Sequence, residues 1–466
     1  MTTTNNQKLS GRDWTEPKTF VSGKALFYIG YIVALLIIGM VALQVNPLII
    51  AASVFSIACL VIIMRYPFFG LIAYLIIYFV RPGERIEALA PFRIELLLGI
   101  LLLILLVVGD AIRGKGFQFP KDKVTTSLIL FIGALGISSL FSEWKMQSYE
   151  VIFAFIKTFI LYYFVIKMAD TEKHFFLIYW IIILGICFNG AESIINYFGG
   201  NAHYNQGVMR ACGTTSFGYH PNSMAMYMST TIPMLMYLFS RHRTLMTKAI
   251  IIALICMCLF CLMITGSRSG VLTIMGVAMV LAWFSRHRII YFAAMVLLAV
   301  GIWIALPEQY KERYGSITDE QVDASAMGRL NAWKSGLGMF MEKPIYGVGP
   351  GAFAAAYMER DGIWLYSHSL YVEMIASTGL LGFITWCFFM YQFFTWLIGM
   401  KRRRNTAVYI KNKIDVFIHS NYAIISGLLL AGVFGHILFR DTFYMMAGVI
   451  VAARHTLLPE PKQDED

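Results

Sequence analysis

Three observations predict an all-α, polytopic transmembrane helix bundle of about 12 to 14 spans. The 466-residue chain is 58% hydrophobic and only 14% charged, too few polar residues to cover the surface of a soluble protein of that length. Its apolar residues fall in unbroken runs of about 16 to 25, the length of a helix crossing a bilayer and not the short alternation of a β-barrel strand. One long polar interruption, residues 307–367, sits late in the chain and predicts a single large loop outside the membrane.

In chain order, the hydrophobic blocks lie near 25–43, 49–64, 66–80, 94–109, 126–142, 150–168, 174–197, 222–240, 248–265, 270–284, 289–306, 369–397, 420–438 and 442–455. The blocks at 66–80 and 442–455 are short for a crossing. The polar start, "MTTTNNQKLSGRDWTEPKTFVSGK", lacks the basic, apolar and small-residue pattern of a cleaved signal, so the first hydrophobic helix is expected to direct insertion itself. With the N-terminus inside, the inner connections hold 24 Lys and Arg, among them the two "SRHR" runs and "KRRR" at Lys401 to Arg404. The outer ones, leaving aside the long 307–367 loop, hold seven: Arg81, Arg85, Arg93, Lys145, Arg210, Arg268 and Arg440. That bias orients the bundle with both termini cytoplasmic. The domains expected are a cytoplasmic tail at 1–24, transmembrane helices 1–11 over 25–306, an outer cap loop over 307–367, C-terminal helices over 368–455 and a cytoplasmic tail at 456–466.

The formal charge of +11 follows from the same inside bias, and no nucleic-acid partner is implied. Six of the seven cysteines lie in hydrophobic runs and only Cys212 in a loop. Neither a disulfide framework nor zinc-ligand spacing is present, and "CMCLFC" reads as helix packing. Outside, "TDEQVD" (Asp319, Glu320, Asp323) reads as a solvated run, so no metal site and no cofactor are predicted. In the cap, "GRLNAWKSGLGMF" spaces Leu330, Trp333, Leu337 and Phe340 on one face of an amphipathic helix. The turn "EKPIYGVGPGAF" brings Gly347, Gly349 and Gly351 together, a backbone able to approach a ligand closely.

Polar groups of unusual type share the outer side: Arg210 in "GVMRACGTTSFGYHPNSMAMY", which also contains Asn222; Arg268 in the turn "TGSRSG"; Arg329 in the cap; and His368 in "LYSHSLYVEMIASTGLLG", where the next helix begins. Guanidinium forks donate paired hydrogen bonds to phosphate oxygens and keep their charge at physiological pH. Two of them at a membrane boundary suit the diphosphate of a polyprenyl-linked sugar, whose tail stays in the bilayer. Histidine titrates near neutrality and suits a general base for an acceptor hydroxyl. Lys157 and Glu192, inside spans, are candidates for a sugar or acceptor groove. Glu373, five residues after His368, does not share its helix face and is not read as its partner. The Arg81 to Arg93 loop is unusually basic for a short outer connection.

At these residues the sequence resembles the bacterial O-antigen ligase and O-antigen polymerase superfamily, membrane glycosyltransferases of the GT-C class. The segments that carry the resemblance, over about Arg210 to Gly382, are "RACGTTSFGYHPNSMA", "TGSRSG", "GRLNAWKSGLGMFMEKPIYGVGPGAF" and "SHSLYVEMIASTGLLG". The resemblance implies an inner-membrane enzyme with a periplasmic cap and active site. It implies metal-independent, inverting transfer of a glycan from an undecaprenyl-diphosphate-linked oligosaccharide to a sugar hydroxyl of an acceptor glycan or glycolipid. Residue by residue, Arg210 and Arg268 would bind the diphosphate and His368 would be the catalytic base. Arg329, Asn222 and Gly349 would support the site or contact substrate. Ser369 stands where the family usually has Asn. Ligase and polymerase share this donor chemistry, and a protein O-glycosylation ligase is a close variant. A flippase of lipid-linked glycans would be marked by an internal repeat with matched broken helices; the sequence reading finds neither.

Overall fold

The computed structural model describes residues 28–34, 36, 47–112, 114, 120–205, 208–285, scattered positions over 288–311, and residues 324–403, 408–435 and 438–458. The expected tails, most of the 289–306 span and the "TDEQVD" stretch lie outside these residues. The chain divides into two compact units, 1–73 with 98–118, and 74–97 with 119–466.

The chain is a multi-pass helical membrane protein. Among the described residues, seven helices are long and apolar enough to cross a bilayer: Glu87–Ile112, Lys123–Leu140, Lys145–Met168, Glu172–Phe198, Leu245–Ile264, Leu370–Arg402 and Lys413–Val433. Others predicted as spans do form as helices but are shorter or more polar. In order, the helices are α1 (Pro47–Arg65), α2 (Pro67–Val80), the single turn α3 (Pro82–Arg85), α4 (Ile94–Ile112), α5 (Lys123–Leu140), α6 (Lys145–Met168) and α7 (Glu172–Phe198). A two-stranded antiparallel hairpin follows, β1 (His203–Asn205) and β2 (Val208–Arg210). Then come α8 (Pro221–Arg241), α9 (Leu245–Ile264), α10 (Arg268–Phe284), the cap helices α11 (Ala324–Glu342) and α12 (Phe353–Asp361), α13 (Leu370–Arg403), α14 (Val408–Val433) and α15 (Asp441–Leu457).

In the first unit, Gly70 of α2 leaves room for Leu102 of α4 and Ile63 of α1. In the second, α8 is enclosed by α9, α10 and α14, α13 packs on α5, and α15 packs on α6. The α8 hydroxyls of Ser229, Thr230 and Thr231 are buried, and they bond carbonyls of Ala225, Met226 and Tyr227 one turn back. A polar helix is thereby tolerated at the centre of the bundle. All seven cysteines are free, with Cys258 and Cys261 buried in α9.

The cap helix is rotated from the sequence expectation. Leu330 and Leu337 are each 53% exposed, whereas Ala332, Ser335 and Met339 are buried. The small residues face inward because α11 lies close against α13: a Cβ at Gly336 would meet Val372 at 2.5 Å. Trp333 and Phe340 remain half-buried.

One feature was not legible as a pattern. Helix α13 is interrupted at Gly379, whose backbone (φ 62°, ψ −163°) is non-helical and belongs to a region open essentially to glycine alone. Four backbone groups at the break are taken by the turn after α11. Val348 and Gly349 N–H donate to the carbonyls of Ala376 and Ser377 at 2.9 Å; Leu380 and Leu381 N–H donate to Pro344 and Ile345 at 2.8 and 3.0 Å. This satisfies a broken helix where lipid offers no partners, and it fastens the cap to the bundle.

Candidate functional site

A cavity of about 270 Å³ opens where several helices begin. Its wall includes Asn222 and Ser223 from the first turn of α8, Ser269 and Gly270 from the first turn of α10, His368 just before α13, and Arg440 at the start of α15. His220, Thr273 and Tyr366 complete its polar lining, and Ala431, Phe434 and Gly435 come from the end of α14. Four helix N-termini bring the positive ends of their dipoles to one volume, the arrangement that favours an anion. Among the described residues that line it there is no carboxylate.

His368 holds a left-handed backbone (φ 49°), a conformation rare and strained for a non-glycine residue. Its neighbours keep it there. Trp333 Nε1 donates to the Ser367 carbonyl at 2.9 Å, Ser367 Oγ donates to Glu373 Oε2 at 2.7 Å, and the Ser369 N–H donates back to Ser367 Oγ at 3.3 Å. Glu373, buried, also accepts from Ser377 Oγ at 3.2 Å. Glu373 therefore anchors the residue before the histidine, a role its spacing from His368 did not reveal. Ser369 accepts from the Glu373 N–H through its carbonyl at 2.9 Å, starting α13 without an amide side chain.

Arg329 lies four residues before Trp333 on α11 and is half-buried. Burial, and after it the positive charge of Arg329, hold the His368 imidazole below its ordinary range, so the ring is neutral at neutral pH. His220 caps α8 by accepting the Asn222 N–H on Nδ1 at 3.2 Å. Burial, then the charges of Arg210 and of the groups around it including Arg440, push its imidazole down to about 4, although part of the side chain still meets solvent.

Arg210 does not line the cavity. It is 5% exposed, and its guanidinium donates from Nε to the Thr265 carbonyl and from Nη2 to Asn222 Oδ1, both at 2.8 Å. Asn222 Oδ1 also accepts from Ser267 Oγ at 2.9 Å, and Ser267 Oγ accepts the Gly270 N–H at 3.1 Å to cap α10. The Ala211 N–H adds a bond to the Ile264 carbonyl at 2.9 Å. The hairpin strand β2, the start of α8 and the α9–α10 turn are thus tied through one buried cation. Arg268 is the first residue of α10 and half-buried; its neighbours Ser269 and Gly270, not Arg268 itself, form the wall. A Cβ on Gly270 would strike Ala225 of α8, so glycine is what brings the two helix starts together.

Gly349 is not placed at the cavity either. It is buried, its N–H is taken by Ser377, and a Cβ there would collide with the hydroxyls of Ser142 and Ser148. The Gly-x-Gly turn closes on the α13 break. Sequence reasoning counted Arg440 only as an outer charge and left His220 inside a motif. Both line the cavity, and the one available signal was their position directly before a helix start.

The remaining polar residues have structural partners. Arg85 pairs with Glu192 (Nη2 to Oε2, 2.8 Å) and packs over Phe188. Arg81 and Glu84 clasp Ser216, through Arg81 Nη1 to Ser216 Oγ at 2.5 Å and Ser216 N–H to Glu84 Oε2 at 2.6 Å. The basic loop after α2 thus pins the segment that follows Arg210. Lys157 lines a separate cavity of about 230 Å³ with Tyr74, Arg81, Glu95 and Asp441. There Tyr78 Oη, also in that wall, donates to Asp441 Oδ2 at 2.5 Å.

Compared with curated proteins, the chain has no significant match. Residues 251–387, which contribute Ser269, Gly270, Thr273, Tyr366 and His368 to the cavity wall, match the family described as O-Antigen ligase, and over that segment the resemblance to the O-antigen ligase and polymerase superfamily is borne out.

Proposed function

We propose that the protein transfers a glycan from a polyprenyl diphosphate, of the undecaprenyl type the resemblance implies, to a sugar hydroxyl of an acceptor glycan or glycolipid. The reaction is placed in the cavity of His220, His368 and Arg440, on the periplasmic side of the bacterial inner membrane. The observation that carries this reading is the convergence of four helix N-termini and Arg440 on a cavity without carboxylates, next to a neutral histidine. An anion is favoured there, and the chain's own cations and backbone dipoles would stabilise the departing diphosphate in the role that a carboxylate-held metal plays elsewhere.

His368 accepts the proton of the acceptor hydroxyl as the new C–O bond forms at the anomeric carbon. The bond from that carbon to the diphosphate oxygen breaks, and polyprenyl diphosphate leaves with both electrons. Attack opposite the leaving group inverts the anomeric configuration. Arg440 and the positive N-terminal ends of α8 and α10 face the diphosphate. Arg210 and Asn222 hold those turns in place, and the Arg268 charge at the start of α10 adds to the field. Burial, and after it the charge of Arg329, keeps His368 unprotonated. The α13 break is filled by the cap turn, so it supports anchoring of the cap and not a translocation path.

The test is reconstitution of purified protein with a lipid-linked glycan pool from the native cell. Loss of transfer in His368→Ala with retained folding supports the assignment, and unchanged turnover overturns it. A product ladder marks a polymerase, a single mass increment a ligase.

A further inference from the structure

A third, much larger cavity lies at the other end of the bundle from His368. It has a volume of about 1070 Å³ and is lined by the start of α5 (Lys121, Asp122, Lys123), the later part of α13 (Tyr391, Trp396) and the end of α15 (Arg454, His455). The His368 cavity stands at the opposite ends of α13 and α15, so the large cavity plays no part in the transfer site.

Its lining is built for an anion with an apolar body. The Arg454 guanidinium lies over the Trp396 ring at 3.9 Å. Gly399 makes room for it, since a Cβ there would meet Arg454 Nη1 at 3.3 Å. The Trp396 indole N–H is buried without a hydrogen-bond acceptor among the described residues, and a buried unsatisfied donor needs a reason. Lys121 and Lys123 are exposed beside it. Asp122 is the one carboxylate in the wall, and it is already engaged: it accepts the Thr125 N–H at 2.8 Å and the Thr125 hydroxyl at 2.5 Å to cap α5. Arg454 and two exposed lysines, with a buried indole N–H beside them, therefore stand against one engaged carboxylate. Above the cavity, α13 presents an outward apolar stripe, Ile384, Phe388 and Tyr391, at the depth an acyl chain would occupy.

We propose that this cavity binds the phosphate of an anionic glycerophospholipid, with Arg454, Lys121, Lys123 and the Trp396 N–H as donors and the α13 stripe against an acyl chain. Basic pockets between helices at the cytoplasmic surface bind such head groups, and the cluster of Lys401 and Arg402 at this end of α13 supports that side. The inference is independent of the transferase reading.

Native mass spectrometry of the full chain in detergent tests it, with phosphatidylglycerol, phosphatidylcholine and sn-glycerol 1-phosphate offered in turn. Phosphatidylglycerol is expected to be retained at least tenfold more tightly than either of the others. Arg454→Gln and the exposed pair Lys121→Gln/Lys123→Gln should each weaken it about tenfold, with Arg454→Lys intermediate. Equal retention of phosphatidylcholine would reduce the cavity to a generic lipid contact. Equal binding of glycerol phosphate would make it a free-phosphate site, and unaltered affinity in the lysine pair, whose side chains carry no packing, would remove the proposed donors. Each of these three results overturns the proposal.

Discussion

Replacing Asn222 by Asp separates the structural from the electrostatic role of the Arg210 network. Asn222 Oδ1 accepts from Arg210 Nη2 and from Ser267 Oγ, and a carboxylate of the same shape keeps both acceptor positions. Beside Arg210, within about 4 Å of its charge, the new carboxylate is attracted by about 4 kcal/mol at an effective dielectric of about 20. The folded state should therefore melt no lower than the wild type. The same charge opposes a diphosphate in the cavity that Asn222 lines. At about 8 Å, Coulomb's law in the same medium gives about 2 kcal/mol of repulsion per phosphate charge, about 30-fold in kcat/KM for donor. Asn222→Ala has the reverse profile. It leaves a guanidinium only 5% exposed short of an acceptor, at about 1.5–3 kcal/mol, and should lower the melting temperature. The assay is donor turnover with melting curves on the same preparations. An Asn222→Asp protein that melts normally and transfers glycan at the wild-type rate would refute the claim that this cavity receives an anion.

The pH profile tests His368. Its imidazole sits below the ordinary range of about 6.5 and must be neutral to act as base, so turnover should stay flat from alkaline pH down through 6.5 and be lost only as pH falls further. Arg329→Gln removes the cation that helps depress it and should move this acid limb upward, and a limb that stays put removes Arg329 from that role. At the helix break, Gly379→Ala forces a Cβ to 2.5 Å from Ile345 backbone in a glycine-only conformation; about 3 kcal/mol of destabilisation is expected, seen as a lower melting temperature and proteolysis of the cap. Glu373→Ala removes the carboxylate that Ser367 bonds; turnover should drop at least tenfold while Glu373→Gln, whose one amide oxygen still accepts from Ser367, retains most of it. Equal losses in the two variants would show that the charge, not the anchoring, matters.

What was legible in the sequence followed from solvent and periodicity. Long apolar runs specify membrane helices whatever their partners, and "TGSRSG" could be placed at a turn because serine caps and glycine ends are local chemistry. Side-chain direction was not local. Arg210 and Arg268 lie at the same end of the bundle, but which guanidinium lines a cavity is decided by what packs behind it, and Arg210 is turned onto Thr265 and Asn222. Arg440, 172 positions after Arg268 in the numbering, reaches the same cavity through packing of α15 that no short motif encodes. The cap helix misled for the opposite reason: its large residues marked an amphipathic stripe, while the contact with α13 required the small ones, Ala332 and Gly336. The Gly-x-Gly turn resembled a ligand loop because close backbone approach has one signature, whether the partner is a phosphate or, as with Ala376 and Ser377, a broken helix.

The central claim, transfer from a lipid diphosphate in the cavity of His368 and Arg440, is tested most directly by single-turnover transfer in proteoliposomes, comparing wild type with His368→Ala and Arg440→Gln at matched folding. The account predicts that His368→Ala binds the lipid-linked glycan as tightly as wild type but forms no glycosidic bond, and that Arg440→Gln loses donor affinity. Glycan transfer at the wild-type rate by either variant would contradict it.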